Sequence, residues 1–228
     1  MNICYNIDCM DFMLTCNDKK FDLAIVDPPY GIERFKNAET SRISKYKSAN
    51  NNFNDAKPDT EYFIELFRIS KNQIIWGYNH LSDMLPSTKE FIFWYKHQPV
   101  ISYSDGELAW TSFTKTAKCF DYPFFGSTGA DKDGRIAPTQ KPIDLYKWLL
   151  QNYAKPGQTI FDSHVGSGSI RIACHDLGFD FVGCELDKSY YLAQEERYNN
   201  YINQNELFKK EDIQKLIYLD SALDLEYY

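Results

Sequence analysis

Short apolar runs alternate with amphipathic stretches along most of the chain. Residues 21–26, 159–162 and 179–184 are near-continuous apolar runs, which are typical of strands covered on both faces of a sheet. Residues 142–153 and 169–177 instead place apolar side chains three or four positions apart, which predicts helices packed on that sheet. The alternation predicts an α/β fold with a doubly wound, mostly parallel sheet and helices on both faces.

The remaining segments add shorter elements to this plan. Strands are predicted over 2–7, 73–76, 90–95 and 107–113. A further strand over 119–124 is predicted to pair with the strand at 107–113. Helices are predicted over 9–16, 60–67, 78–85 and 189–201. We expect Asp8, and either Asp59 or Thr60, to be N-caps. Residues 1–228 are interpreted as a single domain with two long loops, 33–57 and 114–135.

Composition narrows the function classes. The chain has 228 residues, a formal net charge of −7 and a pI near 5.1, which argues against a non-specific polyanion binder although the loop 33–57 is locally basic. The six cysteines form no C-x-x-C pair and no histidine cluster lies near them, so no metal site is predicted. We find no signal peptide and no apolar run long enough to cross a membrane. The sequence therefore predicts a cytoplasmic protein with reduced thiols and no membrane partner.

The tetrapeptide Asp27-Pro28-Pro29-Tyr30 follows the apolar run 21–26. Two successive prolines cannot supply N–H groups to a sheet, so the predicted strand stops there. Ligands of open α/β sheets bind where the strands end. A carboxylate, a backbone carbonyl and an aromatic ring at that point suit a planar base that carries an exocyclic amino group. A purely structural Pro-Pro turn is the alternative.

A glycine-containing turn, Gly166-Ser167-Gly168, lies between the predicted strand 159–162 and the next helix. Glycines let the chain turn tightly and let a ligand approach the backbone. Glu185 ends the following strand, where an acid can accept hydrogen bonds from ribose hydroxyls. A dinucleotide fingerprint would need a third glycine where Arg171 stands. The pattern therefore favours a protein whose ligand has a ribose and no pyrophosphate, and it argues against a dinucleotide-binding Rossmann oxidoreductase. A plain strand-to-helix turn with no bound ligand is the alternative.

Together these residues resemble the amino-group DNA methyltransferases, which transfer a methyl group from S-adenosylmethionine to the N6 of adenine or the N4 of cytosine. A third motif agrees, because Ala-Pro-Thr-Gln-Lys-Pro at 137–142 is similar to the H-P-T-Q-K-P box of the permuted, β-type members. The resemblance covers about residues 3–201, and the short chain looks like the solitary enzymes of phages and prophages. The sequence departs from the family pattern at four positions: Ala137, Ser163, His164 and Ser169 replace His, Pro, Phe and Thr.

The resemblance implies a Rossmann-like methyltransferase sheet and four catalytic residues. The Asp27 carboxylate and the Pro28 carbonyl would accept the two N–H groups of the target amine, and Tyr30 would stack on the base. Pro29 would hold this geometry. Because Asp rather than Ser begins the box, adenine N6 is favoured over cytosine N4 as the target.

The resemblance also implies the contacts of S-adenosylmethionine. Glu185 would bind the ribose hydroxyls, and His164 would cover an apolar or aromatic face of the ligand. Asp8 and Cys9 would contact the adenine of the cofactor. The backbone of Gly166, Ser167 and Gly168 would lie against its methionine part, and Asp162 lies beside that turn. The methionine end would be held by Thr139, Gln140 and Lys141. A helix cap is the alternative for Asp8, and a solvated lysine is the alternative for Lys141.

The resulting hypothesis is a site-specific DNA adenine-N6 methyltransferase whose target base is flipped out of the duplex. The loops 33–57 and 114–135 are the candidate DNA-facing segments, and a homodimer is compatible with the sequence. The alternatives are methylation of cytosine N4, of RNA or of a protein glutamine amide, and a catalytically silent nucleic-acid-binding scaffold with the same fold.

Overall fold

The computed structural model describes residues 1–31, 56–97, 104–124, 136–137 and 139–207. Most of the predicted loop 33–57 and the second half of the predicted loop 114–135 lie outside the described residues. Within the described part of the chain, no helix is both long enough and apolar enough to cross a membrane.

The described chain alternates strands and helices, as predicted. The strands are β1 (Asn2–Tyr5), β2 (Phe21–Val26), β3 (Ser70–Trp76), β4 (Phe91–Tyr95), β5 (Gly106–Thr111), β6 (Lys118–Asp121), β7 (Thr159–Asp162) and β8 (Asp180–Cys184). The helices are α1 (Cys9–Leu14), α2 (Thr60–Ile69), α3 (Tyr78–Leu81), α4 (Ile143–Tyr153), α5 (Ser169–Leu177) and α6 (Lys188–Leu207).

The strands form one mostly parallel sheet in the order β1-β8-β7-β2-β3-β5-β4-β6. β5 runs antiparallel to β3 and β4, and the other neighbouring pairs are parallel. The β7–α5–β8 unit winds away from β2 on one side, and the β2–α2–β3 unit winds away from β7 on the other. This reversal leaves a crevice at the carboxyl ends of β7 and β2, where doubly wound sheets bind ligands. The predicted fold class is confirmed.

Helices cover both faces of the sheet. Alternating residues of β2 point to opposite sides: Leu23 and Ile25 belong to the core beneath α4 and α5, and Ala24 and Val26 belong to the core beneath α1 and α2. All four are at most 1% exposed, which explains why this segment reads as a continuous apolar run.

One predicted strand pairing is wrong. The strand predicted over 119–124 was assigned to the strand at 107–113, but β6 pairs in parallel with β4 instead, with Phe93 opposite Cys119. The reason is topological, since β5 already has β3 on one side and β4 on the other. A strand cannot accept a third partner, so β6 takes the free edge of β4.

The helix ends agree only partly with the prediction. Asp59 caps α2, because its carboxylate accepts a hydrogen bond of 3.0 Å from the backbone N–H of Tyr62. Pro142 stands one position before the first residue of α4. The helix predicted over 78–85 is shorter, since α3 ends at Leu81 and the chain continues in turns towards Leu85.

The cap on α2 gives a stability prediction. Replacing Asp59 by Ala leaves the Tyr62 N–H without its acceptor, so we expect a loss of about 1 kcal/mol in the free energy of unfolding. Urea denaturation measures this loss. Asp59→Asn keeps a capping oxygen and is the matched control, so an equal loss in both variants would contradict the cap.

Candidate active site

Two carboxylates stand side by side at the crevice between β7 and β2. Asp27 directly follows β2, and Asp162 is the last residue of β7. Burial, together with the negative charges of Asp27 and Glu185, raises the pKa of Asp162 to about 8. Asp162 is therefore largely protonated near neutral pH, next to the predicted catalytic carboxylate of Asp27.

Asp27 is oriented by two donors. The Tyr30 hydroxyl donates to Oδ1, and the Lys141 ammonium donates to Oδ2. An ionised carboxylate offers about four lone-pair positions. The two contacts fix the plane of the group and leave acceptor capacity on each oxygen for an incoming N–H group.

Tyr30 is held more firmly than the sequence indicated. Its ring stacks on His80 at 5.4 Å between centroids, with the planes inclined by 14°. Gly77 adopts φ +78°, and a Cβ atom there would lie 2.1 Å from the Tyr30 ring, so only glycine fits. Burial, followed by the charge of Asp27, raises the pKa of Tyr30, so the hydroxyl remains a donor.

Lys141 is buried, and the alternative of a solvated lysine is wrong. Its side chain is 3% exposed, and its ammonium lies 3.1 Å from Glu107 Oε2 in addition to its bond with Asp27. Glu107 lies near the start of β5, and the sequence pattern indicates only that it begins a strand. Because β5 is antiparallel, its start falls at the same edge of the sheet as the end of β2.

The glycine turn and its acid come together as predicted. The Gly166 N–H donates to Glu185 Oε2 at 2.8 Å, and the Asp187 N–H donates to Oε1 at 2.9 Å. Gly166 has φ +53° and Gly168 has φ +75°, which are conformations that glycine adopts without strain. Glu185 is therefore fixed beside the turn at the edge of the crevice.

Arg197 supports this turn and Arg171 anchors the helix that follows it, and spacing alone indicates neither role. Arg197 of α6 donates to the Ser167 carbonyl at 2.8 Å and to Ser169 Oγ at 3.0 Å. Arg171, which stands where a dinucleotide fingerprint has glycine, is buried, bonds Asn2 and Glu195, and lies over the Tyr198 ring.

The far wall of the crevice is formed by α1 and the residues after β7. Asp8 caps α1 by accepting from the Met10 N–H at 2.7 Å, so the helix-cap alternative is confirmed as a contact. Cys9 begins α1, and burial together with the charge of Asp8 raises the pKa of its thiol to about 12. Burial lowers the pKa of His164 to about 4, so this ring is neutral near pH 7.

The remaining predicted residues take separate positions. The peptide bonds of Pro28 and Pro29 are trans, and Pro28 is buried beneath the site. Gln140 is buried, and its side-chain oxygen accepts from the Ile136 N–H at 3.0 Å, which braces its own segment. Thr139 is exposed. The structure thus brings Lys141 to Asp27, the predicted catalytic residue, and leaves Thr139 on the surface.

The crevice combines acceptor groups with neutral rings. Asp27, Glu185 and Asp8 supply carboxylate oxygens, while His164 and Tyr62 meet edge to face at 5.7 Å. This set suits a ligand with hydroxyl groups, positive charge and a flat apolar part. In the described residues, no group of three or more His, Cys, Asp or Glu side chains is placed to hold a metal ion.

The shifted carboxyl of Asp162 predicts a pH dependence of stability. Its pKa rises from 3.8 to about 8 on folding, so the folded protein holds a proton that the unfolded chain releases in this range. Stability therefore falls as the pH rises from about 4 to about 8. The Asp162→Asn side chain cannot ionise. It keeps an oxygen that can accept the hydrogen bond of 3.0 Å that the backbone N–H of His164 donates to Asp162 in the wild type.

We expect the stability gain of Asp162→Asn over the wild type to grow between pH 5 and pH 8 and then level off. Urea denaturation at each pH measures the difference. The opposite contribution of His164, which is lost as the pH falls below 6.5, is common to both proteins and cancels. A gain that stays constant with pH would contradict the buried, protonated carboxyl.

Comparisons with known proteins agree with this geometry. The family model described as DNA methylase, of the N6/N4 type, matches residues 61–196. The Type II methyltransferase M2.MboI of Moraxella bovis is 24% identical over 86% of this chain and 86% of its own length. The M1.HpyAVI–SAM complex is 19% identical, with a TM-score of 0.60 over 87% of this chain and 100% of that chain.

A third protein has the same fold at lower identity. The cytosine-N4-specific PvuII DNA methyltransferase is 12% identical, with a TM-score of 0.61 over 87% of this chain and 86% of that chain. The family match covers more than half of the chain and includes the glycine turn and Glu185. The chain belongs to the N6/N4 DNA methylase family and is a DNA methyltransferase.

Proposed function

We propose that this chain transfers the methyl group of S-adenosylmethionine to the N6 amino group of adenine in DNA. The observation that carries the proposal is the shared crevice. The acceptor carboxylate of Asp27 and the glycine turn with Glu185 open at the carboxyl ends of two adjacent parallel strands, β2 and β7. A base amine and a ribose-containing ligand can therefore meet there.

The residues of the crevice fit S-adenosylmethionine. Glu185 keeps lone pairs for ribose hydroxyls after accepting its two backbone N–H groups. The carboxylates favour a cationic ligand, and the neutral ring of His164 offers an apolar face. The proposed contacts are those implied by the sequence except Lys141, which bonds Asp27. They are Asp8, Cys9, Asp162, His164, Gly166, Ser167, Gly168 and Glu185, with Thr139 and Gln140 in the neighbouring segment.

S-adenosylmethionine supplies an electrophilic methyl group: the amino nitrogen forms the new N–C bond, the sulfur keeps the electrons of the broken S–C bond, and the nitrogen releases one proton. The lone pair of an adenine amine is delocalised into the ring. Asp27 and the Pro28 carbonyl, by accepting its two N–H bonds, favour a pyramidal nitrogen with a free lone pair. Asp27 is also the group that faces the released proton.

The target base would stack on a face of the Tyr30 ring that His80 covers in this structure. His80 occupies one face of the Tyr30 ring. A flipped base that stacks on this face would replace His80, and base–aromatic stacking, typically worth about 1–3 kcal/mol, would offset the lost contact. Base flipping, the DNA-facing roles of the segments 33–57 and 114–135, and a homodimer belong to this proposal.

Cytosine N4 is the second candidate target. Both amines have two N–H bonds and need the same two acceptors, and a protein with the same fold is named as cytosine-N4-specific. The Asp at the first position of the tetrapeptide supports adenine, through the resemblance to the N6 enzymes.

A labelling experiment tests the target. The protein is incubated with methyl-labelled S-adenosylmethionine and with DNA of mixed sequence, and the nucleosides are then separated. We expect label in N6-methyladenine. Label in N4-methylcytosine alone would overturn the adenine assignment, and no labelled nucleoside from DNA or RNA would favour the silent scaffold.

Two variants test whether Asp27 acts on the target amine and Glu185 binds S-adenosylmethionine. Asp27→Ala removes an acceptor of the target amine, so we expect kcat to fall by about 100-fold or more while the Kd of S-adenosylmethionine changes little. Glu185→Gln should raise that Kd by about 10-fold, because it removes charge from a ligand hydrogen bond. Calorimetry and a methyl-transfer assay measure both. Unchanged turnover in Asp27→Ala would contradict the mechanism.

A further inference from the structure

A line of alternating charges ends at Asp27. Lys96 follows β4 and forms an ion pair with Glu107 Oε1. Glu107 Oε2 lies 3.1 Å from the Lys141 ammonium, which bonds Asp27 Oδ2. The line crosses the carboxyl edge of the sheet from the end of β4 to the end of β2.

Aromatic rings line the same path. The Lys141 ammonium lies 5.3 Å from the centre of the Trp76 ring, and the Lys96 ammonium lies 4.4 Å from the Trp94 ring. Trp76 is fully buried. The two cations are therefore shielded from water on the side that faces the protein, where charge–charge interactions are stronger than in solvent.

The charges of the line keep one another ionised. Burial alone would raise the pKa of Glu107, but Lys141 and Lys96 outweigh it and lower this pKa to about 2. Burial opposes the charge of Lys141, yet Asp27 and then Glu107 raise its pKa. The removal of one member leaves its neighbours as buried charges without full compensation.

Stability alone does not account for this arrangement. Buried ion pairs contribute little net stability, because desolvation offsets their attraction, and apolar residues of similar volume often serve as well. A line of four charged groups that ends on a predicted catalytic carboxylate has a different consequence. It fixes the plane of that carboxylate before any substrate arrives.

The geometry points to Lys141 as a positioning residue of Asp27, with Glu107 and Lys96 holding Lys141 in place, rather than as a ligand of the methionine end. This inference rests on the proposed function of Asp27 as the acceptor of the target amine. Lys141 already directs its ammonium to two protein carboxylates, and the Trp76 ring lies 5.3 Å from it, so at most one of its three N–H groups remains for a ligand.

Removing a positive charge and removing a negative charge near Asp27 should move its titration midpoint in opposite directions. In Lys141→Gln the carboxylate loses the cation that favours its ionised form, and in Glu107→Gln it loses a like charge and gains the full effect of Lys141. The titratable groups that interact with Asp27 are Tyr30, Tyr62, Tyr146, Asp162 and Lys141, and Glu107 lies on the other side of the Lys141 ammonium. The pKa values of the three tyrosines are raised, so these hydroxyls remain neutral.

The experiment uses the full chain with ¹³C-labelled carboxyl groups, and Asp27→Asn identifies the Asp27 signal. We expect the titration midpoint of Asp27 to rise in Lys141→Gln and to fall in Glu107→Gln. Lys71→Gln is the matched control, because Lys71 also forms an ion pair with a carboxylate, Asp22, but at the surface and at the start of β3. Its substitution should leave the Asp27 signal unchanged.

Kinetics on the same variants separate positioning from ligand binding. We expect kcat for methyl transfer to fall by about 10- to 100-fold in Lys141→Gln, as for a misplaced catalytic group, with the acidic limb of its pH profile moved to higher pH. The Kd of S-adenosylmethionine should stay within about threefold, since no ligand contact is lost. The double variant Lys141→Gln/Glu107→Gln removes one charge of each sign and should show the same loss of kcat if the single variant does not fold.

The outcomes distinguish the two proposals. A Kd raised by 10-fold or more with a normal kcat and an unmoved Asp27 midpoint would overturn the positioning role and return Lys141 to the methionine end. Midpoints that move in the same direction in both single variants would also overturn it. A wild-type protein that methylates no nucleic acid, with midpoints that move in opposite directions, would refute the proposed function and leave the charge line standing.

Discussion

The burial of charge at one edge of the sheet is the constraint on which the site depends. A carboxylate removed from water is costly unless it is paired and hydrogen-bonded. Asp27 meets this condition through Lys141 and the Tyr30 hydroxyl, and Lys141 meets it in turn through Glu107. These groups come from three separate parts of the chain, so the fold must form before the acid is correctly surrounded.

The reversal of winding direction between β7 and β2 divides the site into two halves. The half towards β8 carries the glycine turn and Glu185, and the half towards β3 carries Asp27 and Tyr30. Asp162 ends the strand at the boundary, and its pKa responds to burial and to carboxylates from both halves. A ligand that places positive charge at this boundary would meet a group whose protonation depends on both halves.

Rigid surroundings hold each half in place. Gly77 leaves space for the Tyr30 ring where any side chain would collide with it, and Arg197 ties the Ser167 carbonyl to α6. Dipoles and charges that are fixed in advance need not reorganise during a reaction, which is the main source of rate enhancement in many enzymes. The DNA methylase family to which the chain belongs requires such order, because an aromatic amine is a weak nucleophile.

The sequence by itself determined the α/β class, the strand ends at Asp27 and Glu185, and the glycine turn, because each depends on local apolar pattern, proline or glycine chemistry. It also carried the family resemblance through three short motifs. Only the tertiary structure decided that Lys141 bonds Asp27, that Glu107 belongs beside them, and that β6 pairs with β4. Those contacts depend on which strands are neighbours in the sheet and on which strand ends lie at the same edge. Spacing along the chain determines neither, because the antiparallel strand β5 begins at the edge where β2 ends.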